Sequence, residues 1–422
     1  MFLLTIMEKK TLIVVGGGAA GFFCAVNAAR FNSALQVIII EKTSKLLSKV
    51  RISGGGRCNI THACFEIDHL IKNYPRGEKF LKRGFHLFSP KDTIKWFEER
   101  GVKLKTENDG RIFPVSDDSQ SVIDCVINEA KKFGVAIWNN TEVRSIQKTG
   151  EKFTVIISGG RELSAEMICL ACGGYPKDQM FDWIKDLGLA IESPVPSLFT
   201  FNMPGNEITR LMGISVIHSR VKILNSNLSS EGPLLITHWG LSGPAILRLS
   251  AWGARFLAGS EELVKPYQFK IQVNWLPSIN DQALRKHFLD FRQEGGQKKI
   301  SSRTHFAMPQ RLWEWILSQS GISENTRWAE LKSIDQHRLI NYLLFHEFQV
   351  NGKTTFKEEF VTAGGIKLSE IDPHTMQSRK IQGLYFAGEI MDVDGITGGF
   401  NFQHAWTSGF AAAKAIAELS YQ

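Results

Sequence analysis

The sequence predicts an α/β fold: a parallel sheet assembled from both ends of the chain, with other material inserted between them. Three observations carry this. Residues 11–15 (TLIVV) and 35–40 (LQVIII) are short apolar runs joined by glycines and an apolar helical stretch, Phe22 to Arg30, which together read as a βαβ unit. Residues 384–388 (LYFAG) return to a buried strand near the other end, and a small-residue helix follows over 403–418. Between these the chain changes character twice.

Taken in order, residues 91–100 (KDTIKWFEER) predict an amphipathic helix and 119–133 a second. Strands are expected at 135–138, 142–147, 153–158 and 166–172 (EMICLAC), the last ending at Gly173-Gly174. Over 190–265 short strands alternate with Pro and Gly turns (SVIHSRVKIL, GPLLITHWGLSGP), which predicts a β-rich insert. Over 279–345 the periods are helical (QALRKHFLDFRQ, PQRLWEWILSQSG, QHRLINYLLFHEF), which predicts a small helical subdomain. The expected organisation is 1–192 for the first part of a nucleotide domain, 193–275 for the β insert and 276–345 for the helical piece. A return through the β insert follows over 346–362, and the nucleotide domain closes over 363–422. No internal repeat is found.

The 422 residues are 43% hydrophobic and 22% charged, a globular composition that excludes extended disorder. The net charge of +8 comes from scattered Lys and Arg, so a solvated basic surface explains it, and nucleic-acid binding is not expected from charge alone. The six cysteines lack a framework spacing, which fits a reducing, cytoplasmic setting. The opening run Met1–Met7 is too short for a signal h-region and lacks a basic flank, and Met7 is an alternative start. No apolar run is long enough to span a bilayer, so no membrane partner is expected.

Gly16-Gly17-Gly18-Ala19-Ala20-Gly21 matches G-x-G-x-x-G directly after a strand and at the start of a helix. Gly16 permits the tight turn, Gly18 lets backbone amides approach a pyrophosphate, and Gly21 lets helix and strand pack closely. The helix N-terminus adds oriented donors. Glu41, with Lys42 beside it, ends the second strand twenty residues after Gly21, where a carboxylate can accept from ribose hydroxyls. An acid there disfavours a 2′-phosphate and argues for FAD or NAD over NADP.

The C-terminal segment separates FAD from NAD. Gly388 and Glu389 end the late strand; Asp392, Asp394, Gly395, Thr397, Gly398, Gly399, Phe400 and Asn401 then lead into a helix. A glycine pair opening a helix offers amide donors for the negative charge that a reduced flavin carries at its N1/O2 edge. A nicotinamide ring needs no such site.

With these motifs in hand, the sequence resembles the bacterial NAD(P)/FAD-dependent oxidoreductases that include aminoacetone-oxidase-like and bile-acid-reducing (BaiN-like) flavoproteins. The resemblance covers nearly the whole chain and rests on VVGGGAAG (14–21), ISGGGRCNIT (52–61), GRIFPVS (110–116), THWGLSGPAIL (237–247), VTAGGI (361–366) and TMQSRKIQGLYFAGEIMDVDGITGGFN (375–401). It implies a glutathione-reductase-like FAD-binding Rossmann domain with an inserted small β-barrel and a helical subdomain. It also implies that Gly54, Gly55, Gly56, Arg57, Cys58 and Asn59 run beside the flavin, with Arg57 or Lys49 meeting phosphate or flavin oxygens. Val143 is implied at the adenine, and Ala171, Gly173 and Gly174 complete the cofactor set. Residues 175–179 (YPKDQ) depart from the family's longer Gly/Ser/Thr-rich run, and His404 stands where an apolar or aromatic residue is common.

The catalytic groups stay open. A Cys169–Cys172 disulfide is rejected, because strand residues i and i+3 face opposite sides. Cys58 reads as a small packed residue rather than a thiolate, and His404 as helix packing rather than a proton carrier. Arg111 suits an anionic substrate and a structural pair equally. His238 and Trp239 read as core residues of the insert. No metal-ligand spacing is present. The expected function is hydride transfer between the flavin and a small organic substrate or NAD(P)H as a transient donor. No second glycine fingerprint exists to hold NAD(P)H, and the oligomeric state is not legible. The alternatives are a flavin-dependent RNA-modifying protein, supported by basic Arg285, Lys286, Lys298, Lys299, Arg303 and Arg311, or a non-catalytic flavin-binding protein.

Overall fold

The computed structural model describes residues 9–259, 263, 265–354 and 361–419. The Met1–Met7 run lies outside the described residues. Two compact units emerge, Met1–Ser197 with Lys357–Gln422, and Leu198–Phe356.

The first unit is built on a five-stranded parallel sheet in the order Leu384–Phe386, Met167–Leu170, Thr11–Val15, Gln36–Ile40, Ala136–Trp138. Thr11–Val15 sits at the centre, pairing Val15 with Ile40 on one side and Leu170 on the other. Its residues are almost wholly buried, as a strand covered on both faces must be. The expected α/β class is therefore the one seen. An antiparallel meander, Val143–Thr149, Lys152–Ile157 and Glu162–Ala165, connects back to the sheet. Helix Pro90–Glu98 starts where a capping box forms between Ser89 and Asp92, with Pro90 pre-setting the first turn.

Helices Ala19–Phe31 and Phe400–Leu419 lie against each other at small residues. A Cβ on Gly409 would stand 2.7 Å from the carbonyl oxygen of Ala20, so the two backbones touch. Around this contact Phe23 packs on Trp406 (5.1 Å between centroids) and Trp96 (4.7 Å).

The second unit is an antiparallel sheet in the order His346–Asn351, Gln268–Asn274, Ser215–Ile223, Ser229–Thr237, Gly240–Ser242, Thr200–Asn202, Lys353–Thr354. Its two outer segments are consecutive in the chain around Gly352, whose carbonyl accepts from Asn202 N (3.0 Å), so the sheet closes into a barrel. Helices Asp281–Gly295, Gln310–Gln319 and Ser333–Leu344 share one apolar core with it, including Trp275, Trp313 and Trp328.

One local reading needs correction. The span read as β-rich also holds helices Pro244–Trp252 and Ala254–Gly259; Gly243-Pro244 starts a helix there rather than only turning the chain. The last helix of the stretch read as helical over 279–345 ends at Leu344, and His346–Asn351 then alternates buried and exposed as a barrel strand.

Replacing Gly409 with Val is expected to lower unfolding free energy by about 3 kcal/mol, since the branched side chain meets backbone that has no slack. The urea midpoint reports it.

Candidate functional site

The first strand ends in a turn at Gly16, with φ of +117°, where any Cβ would collide with the carbonyl oxygen of Ala171. Gly16 N donates to Ile40 O (2.8 Å), which seats the turn between two strand ends. Gly18 caps the following helix with no side-chain cap, and no acidic residue stands in the first turn. The first helical bond runs from Phe22 N to Gly18 O, so the amides ahead of it face off the helix end with the positive pole of its dipole. A Cβ on Gly18 would meet nothing within 4 Å, so open space lies in front of them.

Glu41 is fixed beside this turn. One carboxylate oxygen accepts from Gly17 N (2.9 Å) and the other from Thr43 N (2.9 Å). Thr141 N donates to Glu41 O (3.0 Å), which brings the segment leading into Val143 alongside. The Lys42 ammonium stands 5.8 Å from the Tyr175 ring centroid.

The C-terminal segment reaches the same place. A Cβ on Gly388 would lie 2.7 Å from that of Ala20. Gly388 N donates to Ser408 Oγ (2.9 Å) and Gly388 O accepts from His404 Nε2 (3.2 Å). Glu389 accepts from Thr362 N (2.8 Å) and pairs with Lys49 (2.5 Å), while Gly174 lies against both Thr362 and Glu389.

The loop ending at Asn401 is clamped from several sides. Asn401 exchanges two hydrogen bonds with Gly395, at 2.8 and 2.9 Å. Asp394 is buried, binds the Arg76 guanidinium through both oxygens and accepts from Ser197 Oγ (2.7 Å). Burial pushes this carboxyl up, against the pull of Arg76. Asn59, in the amide orientation that satisfies both groups, donates to Thr61 O (3.0 Å) and accepts from Gly399 N (2.9 Å). Phe400 stacks on His62 at 4.8 Å.

Gly16 to Gly21, Ala171 and Gly388 are thus brought together, and residues 59–62 meet 398–400. Arg57 and Arg111 are drawn elsewhere: both pair with Glu107 (2.6 and 3.0 Å), and Arg111 also with Asp109. His238, read as a core residue, is exposed at the turn between Ser229–Thr237 and Gly240–Ser242, because strand alternation ends at that hairpin. Cys58 is sealed in the core and burial pushes its thiol up to about 12, which leaves no thiolate. All six cysteines are free.

Several participants were not singled out from sequence. Gln403 accepts from Thr61 (2.6 Å) and Thr93 (2.9 Å) and donates to Thr407 (3.0 Å), a fully buried polar chain tying the last helix to two distant segments. Arg76, Thr362 and His62 also escaped; His62 follows directly on the ISGGGRCNIT string, which was the available signal. His62 donates through Nε2 to Asp109 O (3.1 Å), and burial pushes its pKa down.

A parallel sheet with a glycine turn at its central strand, met by a loop from the chain's far end, defines an FAD-binding Rossmann-fold oxidoreductase. The chain belongs to the family described as the HI0933-like protein Rossmann domain, which it matches over residues 10–415. An Escherichia coli (strain K12) protein named ribosomal RNA dihydrouridine synthase is 30% identical over 416 residues, 97% of this chain and 98% of its own. A Clostridium scindens protein named 3-dehydro-bile acid delta(4,6)-reductase is 27% identical over 413 residues, 96% of this chain and 98% of its own. A solved quinol-fumarate reductase shares the fold, with a TM-score of 0.50 at 13% identity over 99% of this chain and 72% of that one. Among the described residues no helix is long and apolar enough to cross a membrane.

His404 gives a titration test. Burial pushes its pKa from 6.5 to about 4, so between those values the unfolded chain takes up a proton that the native protein refuses. Its contribution is complete above pH 6.5 and is lost as pH falls toward 4, on the order of 3 kcal/mol in all. Stability measured against pH is expected to slope less steeply across that window in His404→Asn than in the wild type.

Proposed function

We propose that this chain reduces a carbon–carbon double bond conjugated to a carbonyl, with bound FAD as the redox group and NAD(P)H as the electron source. The observation that carries the cofactor assignment is the convergence of the Gly16–Gly21 turn, Ala171 and Gly388 behind a space that a Cβ on Gly18 would begin to fill. The chemistry is supported by two relatives' names. One makes dihydrouridine, a pyrimidine saturated next to a carbonyl; the other removes 4,6-unsaturation from a 3-oxo bile acid.

In this reading the amides of Gly18, Ala19, Ala20 and Gly21 hold the pyrophosphate, and Glu41 takes ribose hydroxyls. Lys42 and Val143 flank the adenosine end. Lys49, Ala171, Gly173, Gly174, Gly388 and Glu389 line the middle of the cofactor. Backbone at Gly55, Gly56, Cys58 and Asn59 covers one side of the ring, and amides of Gly398, Phe400 and Asn401 face its electron-rich edge, while Gly399 gives its amide to Asn59. Asp394 acts through Arg76, holding that loop in shape, and Arg57 stays in its salt bridge. Bound FAD supplies a ring that accepts and delivers hydride.

A second reading places the double bond in an RNA uracil. The Escherichia coli relative's name favours it, as do exposed Lys286, Lys298 and Arg303, which have no acidic partner among the described residues.

Anaerobic NADH or NADPH is expected to bleach the bound flavin, and a cyclic enone to restore its colour. Restoration by uridine-containing RNA alone would select the second reading, and a flavin that no donor bleaches would end both. Gly18→Val is expected to fold as the wild type, because its side chain enters open space. It should bind FAD about 100-fold more weakly, equivalent to about 3 kcal/mol, as read by fluorescence titration.

A further inference from the structure

The barrel unit carries a groove that the redox chemistry above leaves unused. Its cavity measures about 680 Å³, a size that holds small ligands. Part of its wall is a pile of flat rings. The His346 imidazole lies on Phe348, with centroids 4.1 Å apart and planes 22° apart, and the Trp315 indole lies on His346 at 5.3 Å and 12°. Tyr342 meets His346 edge-on at 4.7 Å.

Gln319 donates to Glu207 (3.2 Å) and Asn206 accepts from Ile208 N (3.0 Å), but the rest of the polar lining is unspent. Gln272, Asn341 and Glu347 also line the groove, and their side chains have no hydrogen-bond partner among the described residues. His346 is only 8% exposed, and its Nδ1 is sealed without a partner. An unmatched buried N–H costs more than an unmatched lone pair, so the ring proton belongs on Nε2, the nitrogen that is not sealed. His346 therefore presents a donor to the groove, and burial keeps the ring neutral, with its pKa pushed down to about 4.

Charge narrows the occupant. Glu207 and Glu347 line the cavity, and among the described residues no Lys or Arg does. A phosphate or carboxylate would be repelled. A flat ring would stack on the aromatic pile, its amino group would donate to a carboxylate or amide oxygen, and its ring nitrogens would accept from amide N–H or from His346. We propose that this groove binds an amino-bearing nitrogen heterocycle of nucleobase type, stacked beside Trp315 and His346. The chemistry is shared by a free nucleoside and by an unpaired base in a nucleic-acid strand. The proposal does not rest on the redox reading.

The test uses the FAD-loaded protein, titrated by calorimetry and tryptophan quenching with adenosine, with a single-stranded oligoadenylate, and with tetramethylammonium. Saturable binding of adenosine is expected, weakened about tenfold or more in Gln272→Leu/Asn341→Leu, a loss of about 1.4 kcal/mol. Both substitutions leave the aromatic pile in place, and a thermal melt checks that the unit is folded. Binding of the oligonucleotide alone supports the proposal and assigns the source to a strand. No binding of either by about 10 mM overturns it, since weaker affinity falls below that of a specific site. Unchanged affinity in the double variant, or displacement of adenosine by tetramethylammonium, also overturns it; the latter marks a site for cations.

Discussion

The nucleotide-binding unit depends on the close approach of two glycines to Ala20. Gly388 comes to it from the late strand and Gly409 from the last helix, each at a distance no larger side chain permits. That contact fixes the last helix against the first, and with it the loop that leads into the last helix. The electrostatics follow from geometry: the first helix keeps its N-terminal amides unspent because no side chain among the described residues caps them. Gly16, wedged on Ala171, prevents that end from shifting along the sheet.

In the proposed reading the loop from Asp392 to Asn401 contacts the cofactor mostly through main chain, and its side chains are what keep it rigid. Its side chains are used inward. Asn401 closes the loop on itself, Asp394 anchors it to Arg76, and Phe400 is held between His62 and Tyr74. A buried ion pair such as Arg76–Asp394 offers little net stability, since desolvation offsets most of the attraction. Its value here is directional: two parallel bonds admit one orientation of the loop. On the proposed binding mode the amides of Gly398, Phe400 and Asn401 are then pre-set rather than ordered on binding, which lowers the entropy cost of association.

Legibility from sequence tracked how local each signal was. The βαβ unit at 11–40, helix 90–98 and the closing strand and helix were readable because burial period, caps and glycines lie within a few residues of one another. The barrel was harder: Gly243-Pro244 carries the same letters whether it turns a chain or starts a helix. At the site, Gly16–Gly21 and Glu41 were visible through their spacing. Gln403, Arg76 and Thr362 were not, since each takes its meaning from partners far away in the chain. Arg57 stood in a conspicuous string, yet its charge answers Glu107, a pairing no local pattern announces.

The parallel sheet takes its outermost strand, Leu384–Phe386, from the far side of the intervening Leu198–Phe356 unit. On a ribosome, the first half of the nucleotide fold therefore emerges long before its completing pieces. Until they arrive, the Met167–Leu170 strand has an open edge and the Ala19–Phe31 helix an uncovered apolar flank. The barrel, contiguous in the chain, is free to fold in the meantime. On the proposed binding mode cofactor capture is thereby deferred until the late strand and the last helix emerge, and a product truncated before them would carry the full glycine fingerprint while lacking the segments proposed to grip a flavin.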